Sequence, residues 1–92
     1  MNDTVQKTNK IFSKGISCLK KGDYPTAIHY FQKLEKLGPD NVEILNNIGV
    51  ACKKLGDYAL ALKYLSKAIE LAPKHSDIIQ NVTDLYLCLN EF

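Results

Sequence analysis

Apolar side chains recur along the chain at the three- and four-residue spacing of a single helix face. Leu45, Ile48, Cys52 and Leu55 form one such stripe, and Ala61, Leu62, Leu65, Ala68, Ile69 and Leu71 form the next. Gly-Asp-Tyr interrupts the pattern at 22–24 and again at 56–58. There the glycine ends one helix without a Cβ penalty, and the aspartate can accept hydrogen bonds from the orphan amides that open the next. Pro25 falls in a first turn, where a missing N–H costs nothing. Pro39 and Pro73 stop the helices before them and leave Asn41 and Ser76 as caps for those that follow. The pattern predicts helices at roughly 5–21, 24–37, 41–55, 58–71 and 76–90, which make two and a half hairpins.

The hairpins are copies of one another. Residues 8–41 match residues 42–75 with a period of 34 and no gap, and eleven of the 34 positions are identical. The pairs include Gly15/Gly49, Cys18/Cys52, Asp23/Asp57, Tyr24/Tyr58, Ala27/Ala61, Tyr30/Tyr64 and Pro39/Pro73. Gly15 and Gly49 are anomalous, because glycine inside a helix costs about 1 kcal/mol relative to alanine. Their recurrence at the period predicts a close approach of the two helices of each hairpin, opposite the small residues Ala27 and Ala61, where a larger side chain would wedge the pair apart.

In period and order these residues resemble the tetratricopeptide repeat, whose signature is W-x2-L-G-x2-Y, then A-x3-F, then P. The first unit offers Ile11, Lys14, Gly15, Cys18, Ala27, Phe31 and Pro39; the second offers Leu45, Ile48, Gly49, Cys52, Ala61, Leu65 and Pro73. The resemblance implies an all-α fold, a right-handed superhelical array of antiparallel helical hairpins forming one domain over 1–92. Its units would be 8–41, 42–75 and the first helix of an incomplete third at 76–92. Lys14 departs from the pattern where leucine is usual, smaller residues replace the aromatic ends of the first helix, and Leu34 stands where a small residue is usual. Lys14 is expected to lay its methylenes on apolar surface and keep its ammonium in water.

In the last helix Ile79, Val82, Thr83 and Tyr86 occupy the places of Leu45, Ile48, Gly49 and Cys52. Ile78, Leu85 and Leu89 should cover the preceding hairpin, whereas Ile79, Val82 and Tyr86 should point to where a second helix would lie. A terminal helix normally presents a polar outer face, and this one ends Leu-Tyr-Leu-Cys-Leu-Asn-Glu-Phe. The expectation is a piece of a longer protein; the alternative is a chain that buries this face against a partner subunit.

The resemblance places function in a concave groove lined by the first helix of each hairpin, a surface on which repeat proteins bind peptides or proteins. The lining would be Asn9, Phe12, Ser13, Ile16, Leu19 and Lys20, then Glu43, Asn46, Asn47, Val50, Lys53 and Lys54, then Asp77, Gln80, Asn81, Asp84 and Leu87. Asn46, Asn47, Gln80 and Asn81 would hydrogen-bond the main chain of an extended guest, Phe12, Ile16 and Val50 would give an apolar floor, and Lys20, Lys53 and Lys54 would steer an acidic segment. The same residues would serve equally as a solvated face. Some members of the family clamp the free carboxylate of a chaperone tail with lysine, asparagine and arginine. Here Phe12, Ile16, Asp77 and Asn81 stand in four of those places and only Asn47 matches, so no binding of such tails is expected.

Composition narrows the remaining classes. The net charge is +2, from twelve basic residues against ten acidic ones, and every basic residue is lysine. Without arginine's planar fork a nucleic-acid partner is not expected. No run approaches the roughly 18 apolar residues of a membrane span, and the N-terminus has no apolar signal core, so a cytoplasmic protein is expected. Cys18, Cys52 and Cys88 lie in apolar patterns without C-x2-C spacing, which predicts reduced, buried thiols and no metal site. His29 and His75 have no partner visible in the sequence, so no enzyme and no cofactor are expected. The reading is therefore a non-catalytic protein-interaction scaffold. Its alternatives are a self-assembling module that forms a homo-oligomer through the C-terminal helix, and the partner-recruiting part of a larger enzyme.

Overall fold

The computed structural model describes residues 2–90, with side chains from Val5 onward. Five helices follow one another: α1 (Asn2–Lys21), α2 (Tyr24–Leu37), α3 (Val42–Leu55), α4 (Tyr58–Leu71) and α5 (Ser76–Asn90). Each packs chiefly on its sequence neighbours, and α5 also touches α3. The result is an elongated slab measuring 46 × 27 × 19 Å. There is no strand among the described residues.

The two Gly-Asp-Tyr turns each close one helix and open another. Gly22 and Gly56 adopt φ of 81° and 85°, the left-handed region that glycine enters without strain. The amides of Asp23 and Asp57 then reach back to the carbonyls of Cys18 and Cys52 at 2.9 and 3.0 Å, which completes a Schellman closure. The same aspartates cap the following helices: Asp23 Oδ1 accepts from the Thr26 amide at 3.4 Å and Asp57 Oδ1 from the Leu60 amide at 3.2 Å. Asn41 caps α3 in the same way, accepting from the Ile44 amide at 3.1 Å. Ser76 does not stand outside α5 as its cap; it is already the first helical residue, and His75 occupies the place that Asn41 holds one period earlier.

The helical glycines explain how each hairpin closes. A Cβ on Gly49 would lie 2.5 Å from Leu65 Cγ, and one on Gly15 would lie 2.7 Å from the ring of Phe31. The close approach is therefore real, but its nearest partners are Phe31 and Leu65 rather than the alanines four residues earlier. Ala27 and Ala61 are nonetheless fully buried, as are Phe31 and Leu65. The bare glycine backbone receives a large side chain, so the helix-propensity cost of about 1 kcal/mol is exchanged for a side-chain burial of about 1.5–3 kcal/mol.

The core runs continuously through α2, α3, α4 and the inner face of α5, with Phe12, Ile16 and Leu19 of α1 packed on its edge. Leu55 and Leu71 were expected in the helix stripes but are 49% and 44% exposed, because they sit in last turns, beyond the ends of the helices they would cover. Cys52 is buried, whereas Cys18 and Cys88 are only partly so. Leu34 is accepted as a buried core residue.

The two ends of the stack differ. Ile48 is fully buried between hairpins, and its image Lys14 is exposed because no described helix lies on that side of α1. The Lys14 ammonium does not simply reach for water; it sits 5.9 Å from the centre of the Tyr30 ring, as does that of Lys33. Tyr64, the image of Tyr30, is buried instead and donates its hydroxyl to Glu35 Oε1 at 3.1 Å across the hairpin junction. At the other end Ile78 and Leu85 are fully buried and Leu89 packs on the core, while Ile79 and Tyr86 are 42% and 51% exposed. Val82 is partly buried against the core. Glu91 and Phe92 lie outside the described residues.

If the glycine contact closes the hairpin, Gly49→Leu lowers stability by about 1–3 kcal/mol through overpacking, and Leu65→Ala lowers it by about 2–5 kcal/mol through the cavity it leaves. Gly49→Ala destabilises the wild type but stabilises the Leu65→Ala chain by about 1 kcal/mol, since only helix propensity then remains. Urea midpoints of the wild type and these variants measure this; an effect of Gly49→Ala that is the same in both backgrounds rules the contact out.

Candidate functional site

Two clefts lie along α3, one towards α1 and the end of α2 and the other towards α5. The first, about 470 Å³, is walled by Asn9 and Phe12 of α1, Leu34 and Leu37 of α2, and Glu43 and Ile44 of α3, with Thr8, Gly38 and Asn41 completing it. The second, about 420 Å³, is walled by Val42, Glu43, Asn46 and Asn47 of α3, His75 of the connecting turn, and Asp77 and Ile78 of α5. Both arise where the first turns of one helix meet the turn that follows the preceding hairpin. A shallower hollow on α1 is lined by Phe12, Ser13, Ile16, Ser17 and Lys20.

Of the groove residues expected from the sequence, Asn9, Phe12, Ser13, Ile16, Lys20, Glu43, Asn46, Asn47 and Asp77 line these hollows. Leu19, Val50, Lys53, Lys54, Gln80, Asn81, Asp84 and Leu87 line none of the three. Phe12 is also tied to the core: its ring meets that of Phe31 edge-on with centroids 5.9 Å apart. Several of the polar groups are engaged with one another rather than free for a guest. Asn81 Nδ2 donates to Asn46 Oδ1 at 2.9 Å, which joins α5 to α3. Gln80 Nε2 donates to Asp84 Oδ1 at 2.9 Å. Lys53 Nζ lies 3.8 Å from Asp84 Oδ2, and its side chain is only 13% exposed, so its charge is half-spent within the chain. Lys20 and Lys54 remain exposed. The Asn47 Nδ2 is buried with no acceptor among the described residues, a donor that would gain from one.

Sequence reasoning missed Thr8, Leu37, Asn41 and His75, all of which line the clefts. It took the groove to be the faces of the first helices alone. The clefts are instead completed by the ends of second helices and the turns after them. The period was the available signal, because Asn41 and His75 are 34 residues apart.

A tetratricopeptide-repeat family model matches residues 42–75, and a second model, described as TPR repeat, matches residues 15–56. No curated protein matches the chain.

Among the described residues, no group of three or more His, Cys, Asp or Glu is placed to hold a metal ion. The most perturbed thiol is Cys52, pushed up to about 11 by burial and, second, by the Asp57 carboxylate. That is the reverse of an activated nucleophile, whose thiolate is stabilised by positive charge. At pH 8 only about a thousandth of Cys52 is thiolate. A disulfide reagent at that pH is therefore expected to titrate Cys18 and Cys88 in the native chain and Cys52 only after denaturation; three thiols reacting together in the native state would contradict the packing of α3 on α4.

Proposed function

The chain belongs to the tetratricopeptide-repeat family, and we propose that it is a non-catalytic interaction scaffold that holds a peptide or protein segment on the face of α1, α3 and α5. Members of the family are in general scaffolds of this kind. The observation that carries the reading is the pair of clefts along α3, the larger with Phe12 and Leu37 at its wall. Leu37 is an apolar side chain 69% exposed there. On this reading the chain is one domain over 1–92, with units 8–41, 42–75 and 76–92 stacked in a right-handed superhelix whose hollow side is that face. Asn9, Phe12, Ile16, Lys20, Asn46, Asn47, Val50, Lys53, Lys54, Gln80, Asn81 and Asp84 supply its contacts, some only after exchanging the bonds they make with each other. No nucleic acid, membrane or cofactor enters. Among the described residues no helix is long and apolar enough to cross a membrane. Three thiols without a disulfide support a cytoplasmic setting.

A second reading, self-assembly through α5, is favoured by a different observation: Ile79, Tyr86 and Leu87 are 42%, 51% and 59% exposed. A homo-oligomer would cover Ile79 and Tyr86, and Tyr86→Lys would then return the chain to a monomer in light scattering.

Peptides selected from a random library on the immobilised chain test the first reading. Val50→Arg, on the proposed face, is expected to weaken their binding at least about tenfold. Lys63→Glu, on α4, should leave it within about twofold. Circular dichroism verifies that both variants fold, and peptides indifferent to Val50→Arg but lost with Lys63→Glu would move the binding face to the other side of the slab.

A further inference from the structure

The two clefts are one site built twice. A shift of 34 residues carries Thr8, Asn9 and Phe12 of the first cleft onto Val42, Glu43 and Asn46 of the second. The same shift carries Asn41, Glu43 and Ile44 onto His75, Asp77 and Ile78. The chemistry changes although the geometry repeats. Phe12 becomes Asn46 and Asn9 becomes Glu43, while Leu34 and Leu37 give way to Ala68 and Leu71, neither of which lines the second cleft. The first cleft therefore sets the apolar side chains of Phe12, Leu34, Leu37 and Ile44 beside Thr8, Asn9, Asn41 and Glu43, whereas polar and acidic side chains outnumber Val42 and Ile78 in the second.

Glu43 stands at the wall of both clefts, and Asp77 at the second. Both carboxylates are exposed, and neither forms an ion pair or hydrogen bond with another described residue. Each lies in the first turn of its helix, where a carboxylate offsets the positive end of the helix dipole. Two full negative charges outweigh two helix ends worth roughly half a charge each, so the second cleft stays net negative. Asn47, whose buried amide nitrogen has no hydrogen-bond partner among the described residues, also lines this cleft.

Resting on the scaffold reading above, we infer that the guest is an extended segment that places an apolar side chain in the first cleft and a lysine or arginine side chain in the second. The two clefts lie on either side of α3 and share Glu43, so about one helix diameter, roughly 10–12 Å, sets the scale between them. A polyproline II segment advances about 9.3 Å in three residues and returns its side chain to the same side. The register is therefore an apolar residue and a basic residue three positions apart. This differs from the acidic guest that Lys20, Lys53 and Lys54 suggest in the sequence, because Lys53 is already held by Asp84 whereas Glu43 and Asp77 have no cation.

Fluorescence anisotropy with short proline-rich peptides tests it. Four peptides carry leucine and lysine three apart, in both chain orders, or the same frames with glutamate for lysine. For at least one order the lysine peptide is expected to bind about tenfold tighter than its glutamate twin at low salt. In Glu43→Gln/Asp77→Asn, which preserves shape, that preference should shrink to within about twofold, while the leucine contribution, read by Leu→Ser in the peptide, persists. Equal affinities for lysine and glutamate, a preference for glutamate, a charge preference unchanged in the double variant, or no binding by any peptide would each overturn the inference. The scaffold reading is judged separately, since library-selected peptides that lose affinity with Val50→Arg keep the face and reject only this register.

Discussion

The fold depends on a side chain seated against bare backbone. Phe31 and Leu65 reach across their hairpins into the space that a Cβ at Gly15 or Gly49 would fill. This contact sets how closely the two helices approach, and with it the place of everything on the outer sides. Were the helices held apart by even a methyl group, the Schellman closures at Gly22 and Gly56 would still form, because they are local. The register of the turns is thus fixed by short-range geometry, and the depth of packing by one long-range contact per hairpin.

This division explains what was legible in the sequence. The helix limits were, because Gly-Asp-Tyr, Pro39, Pro73 and Asn41 act through bonds spanning only a few residues. The faces of α5 were legible apart from Val82, which was expected to point outward and packs on the core, since Ile78 and Leu85 repeat the buried positions of Ile44 and Ala51. The partner of the helical glycines was read four residues too early, because a small residue opposite a small residue suggests touching backbones. The packing instead sets glycine against a bulky side chain, Phe31 or Leu65. Leu55 and Leu71 fit their stripes by spacing, yet spacing does not say where the neighbouring helix ends.

The candidate face was legible only in part, for a related reason. Helical periodicity assigns residues to faces of single helices, whereas the clefts are formed where three elements meet. Asn41 and His75 belong to turns and carry no periodic signal of their own. Periodicity is equally silent on which polar groups find each other. Asn46 with Asn81 and Lys53 with Asp84 look like ligand-directed groups along separate helices, and become mutual partners once α5 is laid beside α3.

Identical residues acquire different roles in this chain according to their place in the stack. Tyr30 and Tyr64 occupy the same place in their hairpins, yet Tyr64 is buried and hydrogen-bonded to Glu35, while Tyr30 lies under two lysine ammoniums. The difference is imposed by what packs on each from the neighbouring hairpin. The clefts show the converse: a repeated scaffold gives the same hollow twice, and changes at a few lining positions give each hollow its own chemistry. Stability in such an array constrains the repeated positions, glycine, turn and core, and leaves the lining free to vary. Recognition can therefore be distributed over hollows of unlike character, with discrimination arising from their order along a bound chain rather than from the depth of any single one.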